Sequence, residues 1–206
     1  MKVRILFLIC FLSITCFLNA ADKPVIQIHT DNSSLIFRVA DNGRLYQSYL
    51  GKKLNHETDI SHLPQGTEAY ITHGMEDYFE PAIHILHNDG NPSLLLKYIS
   101  HETKAVSQGV NETIITLGDD KYPVTVKLHY VTYPAEDIIK TYTEISHKEK
   151  KPVVLHQYAS SMLHLNRAKF YLTEFSGDWA HEANISDQPL EFGKKVLDTK
   201  LGARAN

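Results

Sequence analysis

Between residues 124 and 130 the chain reads VTVKLHY. Val124, Val126, Leu128 and Tyr130 alternate with Thr125, Lys127 and His129. That period of two belongs to a strand with one face buried and one face wet, and no helix can satisfy it. Comparable runs recur about every ten residues with turn chemistry between them. Val25–Thr30 precedes Asp31-Asn32-Ser33-Ser34. Leu35–Ala40 is followed by Asp41-Asn42-Gly43, a hairpin signal because Asn and Gly tolerate positive φ, and Arg44–Leu50 returns. Further strands are expected at 82–87, 93–101, 113–117, 138–145, from Pro152 to about 165, and at 169–175, with a loop over 52–65. No segment keeps a helical period over ten residues. The expected fold class is therefore all-β, an antiparallel β-sandwich with few or no helices.

The first twenty residues have another purpose. Lys2 and Arg4 precede an apolar stretch from Ile5 to Leu18, and Asn19-Ala20-Ala21 offers small residues for cleavage. This is the pattern of a secretory signal and is too short for an ordinary membrane span. It implies a periplasmic or secreted bacterial protein with no membrane association once the signal is gone. Lipoprotein anchoring at Cys16 is disfavoured, because Ser13-Ile14-Thr15 before it is a poor match in small residues. Both cysteines, Cys10 and Cys16, lie in the signal, so the remaining 186 residues carry no disulfide framework and depend on their core. Losing Lys2 and Arg4 takes the formal net charge from −3 to −5, which argues against nucleic acid and anionic membranes as partners. One domain is expected over residues 21–199.

Chemistry-bearing residues gather in two places. Glu68–Pro81, EAYITHGMEDYFEP, mixes aromatics and acids around Gly74 and reads as a structured loop. Glu76, Asp77 and Glu80 beside Tyr70, Tyr78 and Phe79 suit the binding of sugar hydroxyls, with aromatic faces against the ring. The competing account is a loop that turns its aromatics inward and leaves its acids in water. The second place is Phe175–Glu182, FSGDWAHE, which holds the only tryptophan. Gly177 permits a sharp turn there, leaving Trp179 as either a core plug or an exposed platform. The twelve histidines show no zinc-binding spacing; His84 and His87 point to opposite faces of a strand. There is no G-x-S-x-G, and the mature chain has no cysteine nucleophile. Sequons at Asn32, Asn111 and Asn184 matter only in a host that glycosylates its proteins.

Taken in order, these segments resemble the N-terminal β-sandwich domain of family 36 glycoside hydrolases, the retaining α-galactosidases, in particular secreted Bacteroides-like ones. Glu68–Ile85 is similar to the family stretch in which an acidic-aromatic loop leads into Pro-Ala and a strand; Asp77, Pro81 and Ala82 match, and Phe79 stands where the family has an arginine. Asp137–Leu165 resembles a long strand pair of these domains, Gly177, Trp179 and Glu182 a Gly-x-Trp-x-x-Glu block, and residues 200–206 the joint to the catalytic barrel. The resemblance implies a galactose mutarotase-like supersandwich preceding a (β/α)8 barrel whose two aspartates perform the double displacement. It implies no catalytic residue in this chain, no metal and no cofactor, so this chain alone is expected to be inactive. It points to Asp77 as a substrate-binding residue and to Tyr78, Trp179 and Glu182 as residues of the domain interface. The implied partners are α-galactosides through the full-length enzyme, the protein's own barrel, and further copies in a homo-oligomer. A polypeptide cut short before the barrel fits the ending at Asn206. A free-standing carbohydrate-binding module is the alternative.

Overall fold

A computed structural model of the chain describes residues 23–75, 79–165, 169–178, 181–191 and 193–198. The signal segment lies outside the described residues. Among the described residues twelve strands and one helix follow in order: β1 Val25–His29, β2 Ser33–Val39, β3 Leu45–Lys52, α1 Glu57–Ser61, β4 Thr67–Glu68, β5 Ile83–Leu86, β6 Lys97–Ser107, β7 Val110–Gly118, β8 Val124–Tyr133, β9 Ile138–His147, β10 Val154–Tyr158, β11 Tyr171–Asp178 and β12 His181–Pro189. Every strand pair is antiparallel, as the all-β reading requires. Two compact units result, the first ending at Met162 and the second beginning at Leu163.

The first unit holds the sheets β1-β2-β3-β4 and β6-β7-β8-β9 and the ribbon β5-β10. Its core is one apolar cluster. Ile26, Ile28, Leu35, Phe37 and Leu45 come from the first sheet, and Ile115, Leu117, Val126, Leu128 and Tyr130 from the second. Ile83 and Ile85 of β5 join them. Phe37 and Tyr130 meet with ring centroids 5.1 Å apart. The alternation in β8 is therefore real: Val124, Val126, Leu128 and Tyr130 are all buried on the inner side. Each fully buried aliphatic side chain contributes roughly 1.5–3 kcal/mol.

Three expectations change. Residues 52–65 are not all loop, since α1 sits inside them with Ile60 buried. Residues 93–96 are not strand: the backbone N–H of Leu95 donates to the Asp119 carboxylate at 2.6 Å, so a side chain takes the place of a neighbouring strand. The strand expected from Pro152 to 165 is only β10, five residues long. β12 was not foreseen, because its stretch from Ala183 to Pro189 lacks apolar alternation.

One buried polar network stabilises the outer face of the second sheet. Glu112 of β7 accepts hydrogen bonds from the Tyr142 hydroxyl at 2.6 Å and from His129 Nδ1 at 2.9 Å. Lys104 of β6 stands 3.0 Å from its other oxygen. The Tyr142, His129 and Lys104 bonds, in that order, hold the carboxyl down at about 2. A depressed carboxyl contributes stability that is present above its unfolded value of 4.5 and is lost as pH falls towards about 2. Glu112→Gln should therefore cost about 1–3 kcal/mol at pH 7 in urea unfolding. The gap from wild type should close as the pH is taken down towards 2. A gap that stays constant through that window would contradict this account.

Candidate functional site

The stretch from Glu68 to Pro81 begins as sheet and then leaves it. Glu68 closes β4 and is held by Arg44 in a two-bonded ion pair, with Arg44 Nε 2.8 Å from Oε1. This acid is thus structural. Ala69, Tyr70 and Ile71 are buried in the core, and the Tyr70 hydroxyl donates to the Ala159 carbonyl at 2.8 Å. At His73 the chain departs, and at Ala82 it returns. The two ends are tied together: His73 N–H donates to Ile83 O at 3.0 Å and Ala82 N–H to Ile71 O at 2.7 Å. Ala159 N–H then donates to Ala82 O at 2.7 Å, and Gln157 Nε2 to the Pro81 carbonyl at 2.8 Å.

Gly74 has φ +84°, and a Cβ there would come within 2.8 Å of Ser93. Only glycine turns the chain at that point without a clash. The chain thus leaves at His73 and returns at Ala82 on a fixed base. Glu76, Asp77 and Tyr78 lie outside the described residues. Phe79, on the returning limb, is 67% exposed. An inward-packed aromatic is thus excluded for Phe79, while Tyr70 does pack inward.

Three imidazoles line the base of this loop. His73 stacks on His84 of β5 at 3.7 Å between ring centroids, and His84 lies 4.8 Å from His156 of β10. A bulge between Leu155 and Gln157 sets His156 out of the regular pairing. The rings stack instead of converging, and among the described residues no group of three ligands is arranged to hold a metal. Burial first, then the neighbouring His73 and His156, lowers the pKa of His84 below 6.5. Sequence reading treated these histidines singly, since positions 73, 84 and 156 share no spacing.

On the other side of the loop base, His87 is buried against the face of Tyr122, with centroids 3.5 Å apart. Its Nδ1 donates to Glu149 at 2.7 Å and its Nε2 faces the Ser93 carbonyl at 3.2 Å. Burial opposes the charge on Glu149, but the bonds from His87 and Asn88 outweigh it and hold the carboxyl low. The carboxyls of Asp41, Asp89, Glu112, Asp137 and Glu149 are each held below their ordinary values by the hydrogen bonds they accept. A cavity of about 250 Å³ opens beside the loop between Met75, Ser93, Leu95 and Asp119–Tyr122.

Of the second segment, FSGDWAHE, Phe175–Asp178 close β11 and His181 and Glu182 open β12, both in the second unit. The register shifts between Ser176 and Asp178, so Gly177 sits at a bulge inside the strand rather than in a turn after it. Trp179 lies outside the described residues. Glu182 falls within β12, but its side chain lies outside the description.

The glycosyl hydrolase family 36 N-terminal domain matches residues 42–206. The chain belongs to this family. Probable alpha-galactosidase G of Aspergillus terreus is 24% identical over 142 residues, 63% of this chain and 20% of that protein. Probable alpha-galactosidase C of the same fungus is 22% identical over 199 residues, 85% of this chain and 27% of that protein. Among solved structures, the GH36 alpha-galactosidase AgaA from Geobacillus stearothermophilus superposes with a TM-score of 0.74 at 19% identity, over 82% of this chain and 28% of that one. The galactosidase domain of AgaSK gives 0.73 at 22% identity, over the same shares. Variants of AgaA were solved with raffinose and with stachyose. The family 36 N-terminal domain is an accessory domain, and this chain spans about a fifth to just over a quarter of these relatives.

The histidine stack makes a direct prediction. In an NMR titration the His84 imidazole should titrate below 6.5, and His73→Gln should move its midpoint up towards that value. An unchanged midpoint in the variant would mean that the two rings do not share charge.

Proposed function

We propose that this domain serves a secreted, retaining α-galactosidase of bacterial origin, holding a (β/α)8 barrel and placing Asp77 at the edge of the pocket for the terminal galactose. The observation that carries the reading is the anchored loop base: His73 and Ala82 are fixed to β5 and its neighbours by backbone bonds of 2.7–3.0 Å. The family match covers the same segment. A carboxylate carried between two such anchored ends is suited to a charge-assisted hydrogen bond with a sugar hydroxyl.

The chemistry of the carboxyls supports catalysis outside this domain. Hydrolysis with retention needs two carboxyl groups roughly 5–5.5 Å apart, one of them kept protonated by its surroundings. Here Glu68, Glu112 and Glu149 are engaged in ion pairs or hydrogen bonds within the fold. A barrel would present such a pair from its strand ends and occupies about 250 residues. Tyr78, Trp179 and Glu182 are assigned to packing against that barrel, and the leader over residues 1–20 to export. Raffinose and stachyose, bound by AgaA variants, set the class of substrate proposed: oligosaccharides ending in an α-linked galactose. Association into a homo-oligomer belongs to the same proposal.

In the full-length enzyme, Asp77→Asn should raise KM or lower kcat for melibiose by about tenfold, the worth of one hydrogen bond to a charged group. Kinetics identical to wild type would leave the domain a scaffold only.

A further inference from the structure

At the end of the β6–β9 sheet away from Met75, three turns border a second, open cavity. The β7–β8 turn, Asp119–Tyr122, borders the cavity beside the loop, whereas the β6–β7 and β8–β9 turns lie at the other end of these strands. β7 has nine residues, so the two cavities are separated by roughly 27 Å along the strand. The far cavity has a volume of about 300 Å³ and is lined by Asp31, Gln108, Val110, Tyr133, Pro134 and Glu136 among others. That is the lower end of the range for small-molecule sites.

We propose that this cleft is an accessory carbohydrate-binding site that takes a neutral hexose unit of an oligo- or polysaccharide chain. The inference rests on the carbohydrate reading above for its class of ligand. The walls are preformed. Asp31 N–H donates to the Pro134 carbonyl at 3.2 Å, and Asp137 N–H to the same carbonyl at 3.1 Å. The Asp137 carboxylate accepts from the Thr30 hydroxyl and, at 3.2 Å, from the Ser33 hydroxyl. Those bonds lock the β8–β9 turn to the β1–β2 turn, with Asp137 held at φ 56°.

The polar groups in and behind the cleft divide into two sets, the lining being Asp31, Gln108, Tyr133 and Glu136. Thr30, Ser33 and Asp137 are occupied with one another. Asp31, Gln108, Tyr133 and Glu136 make no side-chain hydrogen bond or ion pair among the described residues. Two carboxylates that accept, an amide that does both and a phenol that does both form a hydroxyl-reading set. Val110, Pro134 and the Tyr133 ring supply apolar surface for the C–H face of a pyranose. No lysine or arginine lines the cleft, so a phosphate or sulfate ester would be repelled. A metal ion is disfavoured, because no third ligand joins the two carboxylates.

The test is native electrophoresis of the full-length protein through gels with and without soluble galactomannan. Wild type should be retarded, and Tyr133→Ala and Glu136→Gln should each weaken the retardation constant by at least about threefold. Melibiose kinetics should not change in either variant, which also shows that they fold. Glu136→Gln is an exposed, nearly isosteric change and keeps the test valid if Tyr133→Ala fails to fold. Retardation equal to wild type in both variants overturns the proposal. So does retardation that vanishes at about 0.5 M salt, since that marks an ionic contact. Failure here leaves the Asp77 reading intact, because the two sites are read by different assays. A full-length protein without α-galactosidase activity would overturn that reading while leaving the retardation result to stand by itself.

Discussion

Phe37 of the first sheet and Tyr130 of the second meet inside the sandwich, and residues at every second position on either side of them fill the same apolar layer. Because side chains alternate strictly along a strand, a slip of one residue in β8 would turn Val126, Leu128 and Tyr130 to solvent and bring Lys127 and His129 inside. The register of β7, β8 and β9 is therefore fixed by this layer. The outer face inherits its order from the inner one. Glu112, His129 and Tyr142 meet on three successive strands only because Ile115, Leu128 and Thr143 are aligned behind them. Glu112 in turn adds a charged, hydrogen-bonded centre to the face that also buries Ile114 and Val131.

Both candidate binding regions are borne by this rigid frame rather than by independent loops. The His73–Ala82 excursion is clamped to β5, whose own position is set by Ile83 and Ile85 in the core. The turns around Asp31 and Pro134 are clamped to each other at the other end of the strands. A sandwich lends itself to this arrangement, since its strands carry the packing and its ends are left free for recognition.

Period and turn chemistry made most strands legible. Asp41-Asn42-Gly43 does turn the chain, with Gly43 N–H bonded to Ala40 O at 2.9 Å and φ of 78°. Side-chain substitutions for backbone pairing were not legible. Asp119 takes the N–H of Leu95 from 24 residues away, and nothing in residues 93–96 announces it. The polar clusters were hidden for the same reason. His87 and Glu149 are 62 residues apart, and Thr30 and Asp137 are 107 apart. Only the fold brings them together. For the proposed site, the sequence identifies the loop and its glycine, and the structure supplies its anchorage. Asp77, Tyr78 and Trp179 lie outside the described residues, so their roles rest on the resemblance and on the proposal built from it.

We propose that this domain works as part of a longer α-galactosidase. The intact mass of the native protein, captured with an antibody against the sandwich, tests it most directly. The native product should be heavier than this domain by at least roughly 27 kDa, the bulk of a (β/α)8 barrel. A native product consisting of the 186-residue remainder alone would contradict it and make a free-standing binding module the better description.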